Sequence, residues 1–142
     1  MLKSICAGCA LAALLINGTA LAGDAGHEHH HQQSQDVGHL AQPPKLALEV
    51  HRDAASGWNI HLVTAHFHFA PEQVNREHID GEGHAHLYVD DEKVARVYSA
   101  WLHLGDLTPG EHTLRATLNA STHEESSVDG ELIAASQRIV QP

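Results

Sequence analysis

From Leu46 onward the apolar residues of this chain recur at every second position, and that period restricts what it can fold into. Leu46, Leu48 and Val50 alternate with Ala47, Glu49 and His51, Trp58, Ile60 and Leu62 continue the pattern, and Ala85, Leu87 and Val89 repeat it. A period of two sends one side of a strand into a core and the other side outward, whereas an amphipathic helix needs apolar residues three or four apart. No stretch shows the helical spacing. Beyond Leu62 the phase changes, so that Ala65, Phe67 and Phe69 become the apolar set, which predicts a bulge near Val63-Thr64. Asp90-Asp91-Glu92 turns the chain into the alternating set Val94, Arg96 and Tyr98. Thr108-Pro109-Gly110 marks a turn before a strand over 112–119, and Ser127-Val128-Asp129-Gly130 feeds a last strand over 132–140. About seven short strands at this spacing predict an all-β domain, an antiparallel immunoglobulin-like β-sandwich over 45–142. The disulfide and core-Trp hallmarks of antibody domains are missing, so that likeness is one of architecture.

The residues ahead of this domain read differently. Met1-Leu2-Lys3 is a short positive start, an apolar run follows, and Ala20-Leu21-Ala22 fits a small-x-small cleavage pattern. Together they predict a Sec-type signal peptide over 1–22 and a periplasmic or secreted protein. The apolar run stops at Asn17-Gly18, short of the roughly 20 residues a membrane span needs. Cleavage after Ala22 would remove Met1, Cys6 and Cys9, and with them every sulfur atom of the 142-residue chain. Disulfides, thiolate metal sites, cysteine nucleophiles and thioether Cu(I) sites then drop out, leaving imidazole and carboxylate as the available ligands. Residues 23–44 are almost free of large apolar side chains and end in Pro43-Pro44. They predict a disordered tail and a stiff linker, because such a segment cannot bury enough surface to offset its ordering entropy.

Fifteen histidines in so short a chain are the chemical signal. Alternation puts His66 and His68 on the side of their strand opposite Phe67 and Phe69, and His84 and His86 on the side opposite Ala85 and Leu87. Each His-x-His pair therefore stands on one side of a strand. Antiparallel pairing of His68 with His84 would also match His66 with His86 and gather four imidazoles. His103 and His123 fall near strand ends. The candidate metal ligands of the domain are thus His84 and His86 first, then His103 and His123, then His66 and His68, with Asp, Glu or water completing the shell. In the tail, His27, His29, His30 and His31 form a separate tract of the kind that collects Cu(II) or Zn(II) with little geometric selectivity.

The formal charge of −10 opposes nucleic-acid binding, which needs a basic face for the phosphates. No Gly-x-Ser-x-Gly elbow, His-Glu-x-x-His helix or phosphate-cradling glycine loop is present, so no catalytic residue is named. Gly81-Glu82-Gly83 reads as a flexible entry to the 84–89 strand. Cleavage after Ala22 places neither a first-position nor a third-position histidine at the new amino terminus, which removes the two amino-terminal copper motifs.

Gly83-His84-Ala85-His86-Leu87-Tyr88-Val89-Asp90 resembles a motif of small exported bacterial immunoglobulin-like β-sandwich proteins. The resemblance extends through Ser56-Gly57-Trp58-Asn59, Phe67-His68-Phe69-Ala70-Pro71-Glu72, Trp101-Leu102-His103-Leu104 and Leu118-Asn119-Ala120. It departs at Asp91, where a hairpin glycine is usual, and in the His-rich tail. More distantly the chain is similar to the copper-resistance sandwiches of the periplasm, which use His with Met or a terminal amine. These resemblances imply the sandwich fold and a periplasmic location. Together with the histidines they lead to a metal-binding protein that buffers, sequesters or delivers Cu(II) or Zn(II), with the metal ion and another periplasmic protein as partners. The competing expectation is a metal-independent interaction module whose histidines form a pH-responsive surface.

Overall fold

The computed structural model describes residues 34–142. The expected signal peptide over 1–22 and the tail histidines His27, His29, His30 and His31 lie outside the described residues. Eleven strands follow in order: β1 (Gln35–Asp36), β2 (Lys45–Arg52), β3 (Trp58–Ala65), β4 (His68–Phe69), β5 (Glu82–Val89), β6 (Glu92–Val97), β7 (Trp101–Leu104), β8 (Gly110–Ala120), β9 (Ser126–Val128), β10 (Glu131–Leu132) and β11 (Ala134–Gln141). Seven of them are four residues or longer, as the alternation required, and among the described residues the only helical piece is the 3-10 turn Pro71–Gln73. No helix among the described residues is long and apolar enough to cross a membrane.

The long strands form two antiparallel sheets. One has the order β2-β3-β7, and the other runs β11-β8-β5, with β6 along the far side of β5 and β4 parallel to its first residues. Trp58, Ile60 and Leu62 of β3 meet Ala85, Leu87 and Val89 of β5 and Leu114, Ala116 and Leu118 of β8 in one core. Leu46, Leu48 and Val50 pack half-buried against it. This is an all-β sandwich. A tryptophan does sit in the core: Trp58 is buried, and its indole N–H donates to Gln141 Oε1 at 2.9 Å.

Four expectations need correction. β2 and β3 pair without a break from Lys45↔Ala65 to Arg52↔Trp58, so no bulge lies at Val63-Thr64. The phase change comes instead at His66, whose φ of 56° turns the chain out of the strand. The irregularity falls in the β5/β6 hairpin. Leu87 pairs with Ala95 and Tyr88 with Lys93, so Val94 is the extra residue. That inserted residue reverses the parity of β6: Val97 enters the core, and Arg96 and Tyr98 face the other way. The Asp90-Asp91 turn holds both residues at positive φ, 50° and 67°, which aspartate tolerates better than most side chains.

The boundary of the tail moves as well. Within 23–44, residues 34–44 are docked on the domain. β1 pairs in parallel with β9, Val37 N–H donates to the Ser127 carbonyl at 2.8 Å, and Val37 is buried. Two apolar side chains, Val37 and the half-buried Leu40, and the backbone bonds of Gln35 and Val37 anchor a segment whose composition alone offered little to bury. Finally, Gly83 is no flexible entry. It lies inside β5, where a Cβ would come within 2.0 Å of the Asn119 carbonyl oxygen. Its missing side chain lets β5 and β8 close on each other next to His84.

Candidate metal centre

Alternation fixes the side on which His84 and His86 stand, and the neighbouring strands decide what surrounds them. Ala85 and Leu87 point into the core, so His84 and His86 project from the opposite face of the same sheet. There His84 is paired with Asn119 and His86 with Thr117 on β8. Across β6, His86 is opposite Arg96, and Tyr98 follows one residue beyond the Ala85↔Val97 pair, beside His84. This face is not open to water: His84 is 0% exposed, His86 5%, and Thr117 and Asn119 0%.

The cover comes from two connections distant in sequence. After β8 the chain reverses through Ser121-Thr122-His123-Glu124, with Ala120 N–H donating to the Glu124 carbonyl at 2.8 Å. His123 sits in this turn at a φ of 86°, an uncommon conformation for a side chain of its size. The segment after β4 is tied down where Ala70 N–H donates to the Gly83 carbonyl at 2.9 Å and Asn75 N–H to the Ser121 carbonyl at 3.1 Å. His123 Nε2–H then donates to Asn75 Oδ1 at 2.6 Å. That bond leaves Nδ1 as the His123 nitrogen with a free lone pair.

His84, His86 and His123 each offer one nitrogen to a group whose members all lie within 4.8 Å of one another. His84 Nε2 and His86 Nε2 are 3.1 Å apart. Two nitrogens bound at ~2.0–2.1 Å to one ion stand about 2.9 Å apart at a right angle and about 3.3 Å at the tetrahedral angle. The pair on β5 is therefore already spaced for a shared ion, and His123, within 4.8 Å, has to move inward by up to about 1.5 Å to close a tetrahedral face. Burial, followed by the charge of the neighbouring histidine and of Arg96, pushes the pKa of His84 down from 6.5 to about 3. Burial, then Lys93 and Arg96, pushes His86 down to about 4. Both rings are consequently neutral at any pH near 7, the form in which imidazole ligates. Buried polar atoms without a partner include His84 Nδ1 and Tyr98 Oη, on adjacent rings, and Ser121 Oγ and Glu124 Oε2 of the turn that carries His123. Such atoms are costly in a folded protein and mark sites where something further is to be bound or moved. The residues present suit a small ion that accepts neutral nitrogen ligands.

The other candidates are elsewhere. His66 and His68 do point outward and are exposed, but β4 runs parallel to β5 with His68 opposite Glu82, so the four-imidazole register does not form. The reason is the length of the connection. Residues 70–81 provide the dozen positions that a parallel crossover needs. His103 lies on β7, in the other sheet, and its Nε2–H donates to the Ser56 carbonyl at 2.9 Å. The site residues that sequence reasoning missed are Tyr98 and Asn75. The inserted Val94 hid the parity of Tyr98, and Asn75 sits in a loop with no periodicity to read.

No family model, no curated protein and no solved structure matches the chain.

Proposed function

We propose that this is an exported metal-binding protein that holds one Cu(II) or Zn(II) ion at His84, His86 and His123, for buffering, sequestration or delivery in the periplasm. The observation that carries the reading is a buried pair of neutral imidazoles, 3.1 Å apart at Nε2, with a third histidine beside it. Nitrogen ligands without sulfur suit both ions. The signal-like start of the chain supports export, and the tract His27, His29, His30 and His31 supplies a second, looser store of imidazoles that raises the local metal concentration. The burial of His84 and His86 revises the pH range of binding. Protons compete for the ordinary imidazole near pH 6.5, whereas His84 stays neutral to about 3 and His86 to about 4, so binding persists into mildly acidic solution.

The test separates domain from tail. A full-length chain carrying H27A, H29A, H30A and H31A is titrated calorimetrically with Zn(II) and with Cu(II). Saturable one-to-one binding at pH 7, retained at pH 5.5, is expected. Complete loss of binding in that variant would mean that the tail alone captures metal and would overturn the reading.

A further inference from the structure

A metal-bound imidazole needs a partner on its other nitrogen. The ring that ligates through Nε2 carries its proton on Nδ1, and an acceptor for that proton fixes both the tautomer and the orientation of the ring. At the centre described above, His84 and His86 face each other through Nε2. His84 Nδ1 is thereby the nitrogen that requires an acceptor, and it is buried with no hydrogen-bond partner. A second buried atom without a partner is Tyr98 Oη. The two belong to adjacent rings, whose centroids are 5.4 Å apart and tilted by 45°. The backbone explains the adjacency. Ala85 pairs with Val97, so the next residue of the β6 edge stands beside the preceding residue of β5, and both project from the face away from the core. A phenol oxygen accepts as well as donates. One orphan donor and one orphan acceptor thus sit on adjacent rings, each lacking what the other provides.

We infer that Tyr98 is a positioning residue of the metal centre, its hydroxyl accepting the Nδ1 proton of His84 when Nε2 binds the ion; this rests on the three-histidine reading of the site. Once the ion takes Nε2, the proton of His84 is fixed on Nδ1, and Tyr98 Oη on the adjacent ring is the orphan acceptor available to it. Tyr98 is the outer partner of a ligand, not a ligand itself. The inserted Val94, which reverses the parity of β6, is what turns this phenol toward the centre.

Y98F distinguishes the role from a structural one, because the two make opposite demands. Removal of a buried hydroxyl that has no partner leaves the metal-free protein as stable as wild type or more so, whereas loss of the outer partner weakens metal binding by about 10- to 100-fold. The expected result is therefore an unchanged or raised Tm without metal, together with a Zn(II) Kd at least about 10-fold higher. Y88F, at a phenol on the same strand face packed 4.0 Å from Arg115, should leave the Kd unaltered. In zinc-loaded, nitrogen-15-labelled wild type, the His84 Nδ1 proton should be protected from exchange, which tests the assignment without any variant. An unchanged Kd in Y98F, or a freely exchanging Nδ1 proton, would overturn it. So would a phenolate-to-Cu(II) charge-transfer band in the wild type that Y98F lacks, since Tyr98 would then be a ligand. Failure of the wild type to take up zinc would instead remove the centre itself, and this role with it.

Discussion

The two sheets turn their outer faces away from one shared core, and both faces carry histidine. On the β2-β3-β7 sheet, every histidine of the outer face has an ordinary partner. Glu49 Oε2 lies 3.1 Å from His61 Nδ1 and 3.6 Å from His51 Nε2, His103 is bonded to the Ser56 carbonyl, and His61 stacks on the half-exposed Trp101 with ring centroids 4.0 Å apart. On the β11-β8-β5 sheet, His84 and His86 are buried, contact each other, and have no carboxylate against them. The difference is cover. A strand face left to water gives its imidazoles acids and solvent, so they act as solvated polar residues. A face roofed by the 121–124 turn and the segment after β4 strips the same side chains of water and holds them neutral.

Replacing both buried histidines breaks the comparison most severely. H84A/H86A should lose tight metal binding by more than about 100-fold. The stabilisation that wild type gains from metal at a hundred times its Kd, about 2.7 kcal/mol or a rise of order 10 °C in Tm, should vanish as well. Calorimetry and thermal unfolding with and without Zn(II) measure both.

Gly83 tests the packing beneath the centre. A Cβ there meets the Asn119 carbonyl oxygen at 2.0 Å, so G83A must push β5 from β8. It should cost about 2–4 kcal/mol of stability and weaken metal binding, as read by denaturant unfolding and titration.

The pH dependence of the metal-free protein follows from the lowered pKa values. Unfolded His84 and His86 take up protons near pH 6.5, while the folded rings resist until about 3 and about 4. Their contribution to stability is complete above 6.5 and is lost as pH falls toward those lower values. Between pH 6 and 4.5 the two sites steepen the fall by up to ~2.7 kcal/mol per pH unit. H84N/H86N should flatten the curve by that amount; denaturant titrations in chelator at several pH values would show it.

The smallest effect is expected on the open face. H51A/H61A should leave one-to-one metal binding unaltered and change stability by no more than about 0.5–1 kcal/mol. A large loss of affinity there would mean that exposure, not cover, selects the ligands.

How much of this was legible in the sequence depends on which contacts set each feature. The strands around Leu46, Ile60, Leu87 and the 112–119 stretch could be read because a period of two is imposed by local geometry. The same period gave the side on which His84 and His86 stand. It could not give their burial, which depends on His123 and Asn75, more than thirty residues from them in one case and far outside any strand in the other. The single inserted residue Val94 sufficed to reverse β6 and conceal Tyr98. The pairing of His68 depended on a crossover whose length was visible, at 70–81, and whose parallel outcome was the missed signal.

The most direct measurement is anomalous diffraction at the zinc edge from crystals of the full-length chain grown with Zn(II). A peak about 2.0–2.1 Å from His84 Nε2, His86 Nε2 and a nitrogen of His123 is the expected result. Zinc found only at surface histidines such as His51, His61 or His103, with the space between His84 and His86 free of it, would contradict the assignment of a metal centre to the buried face.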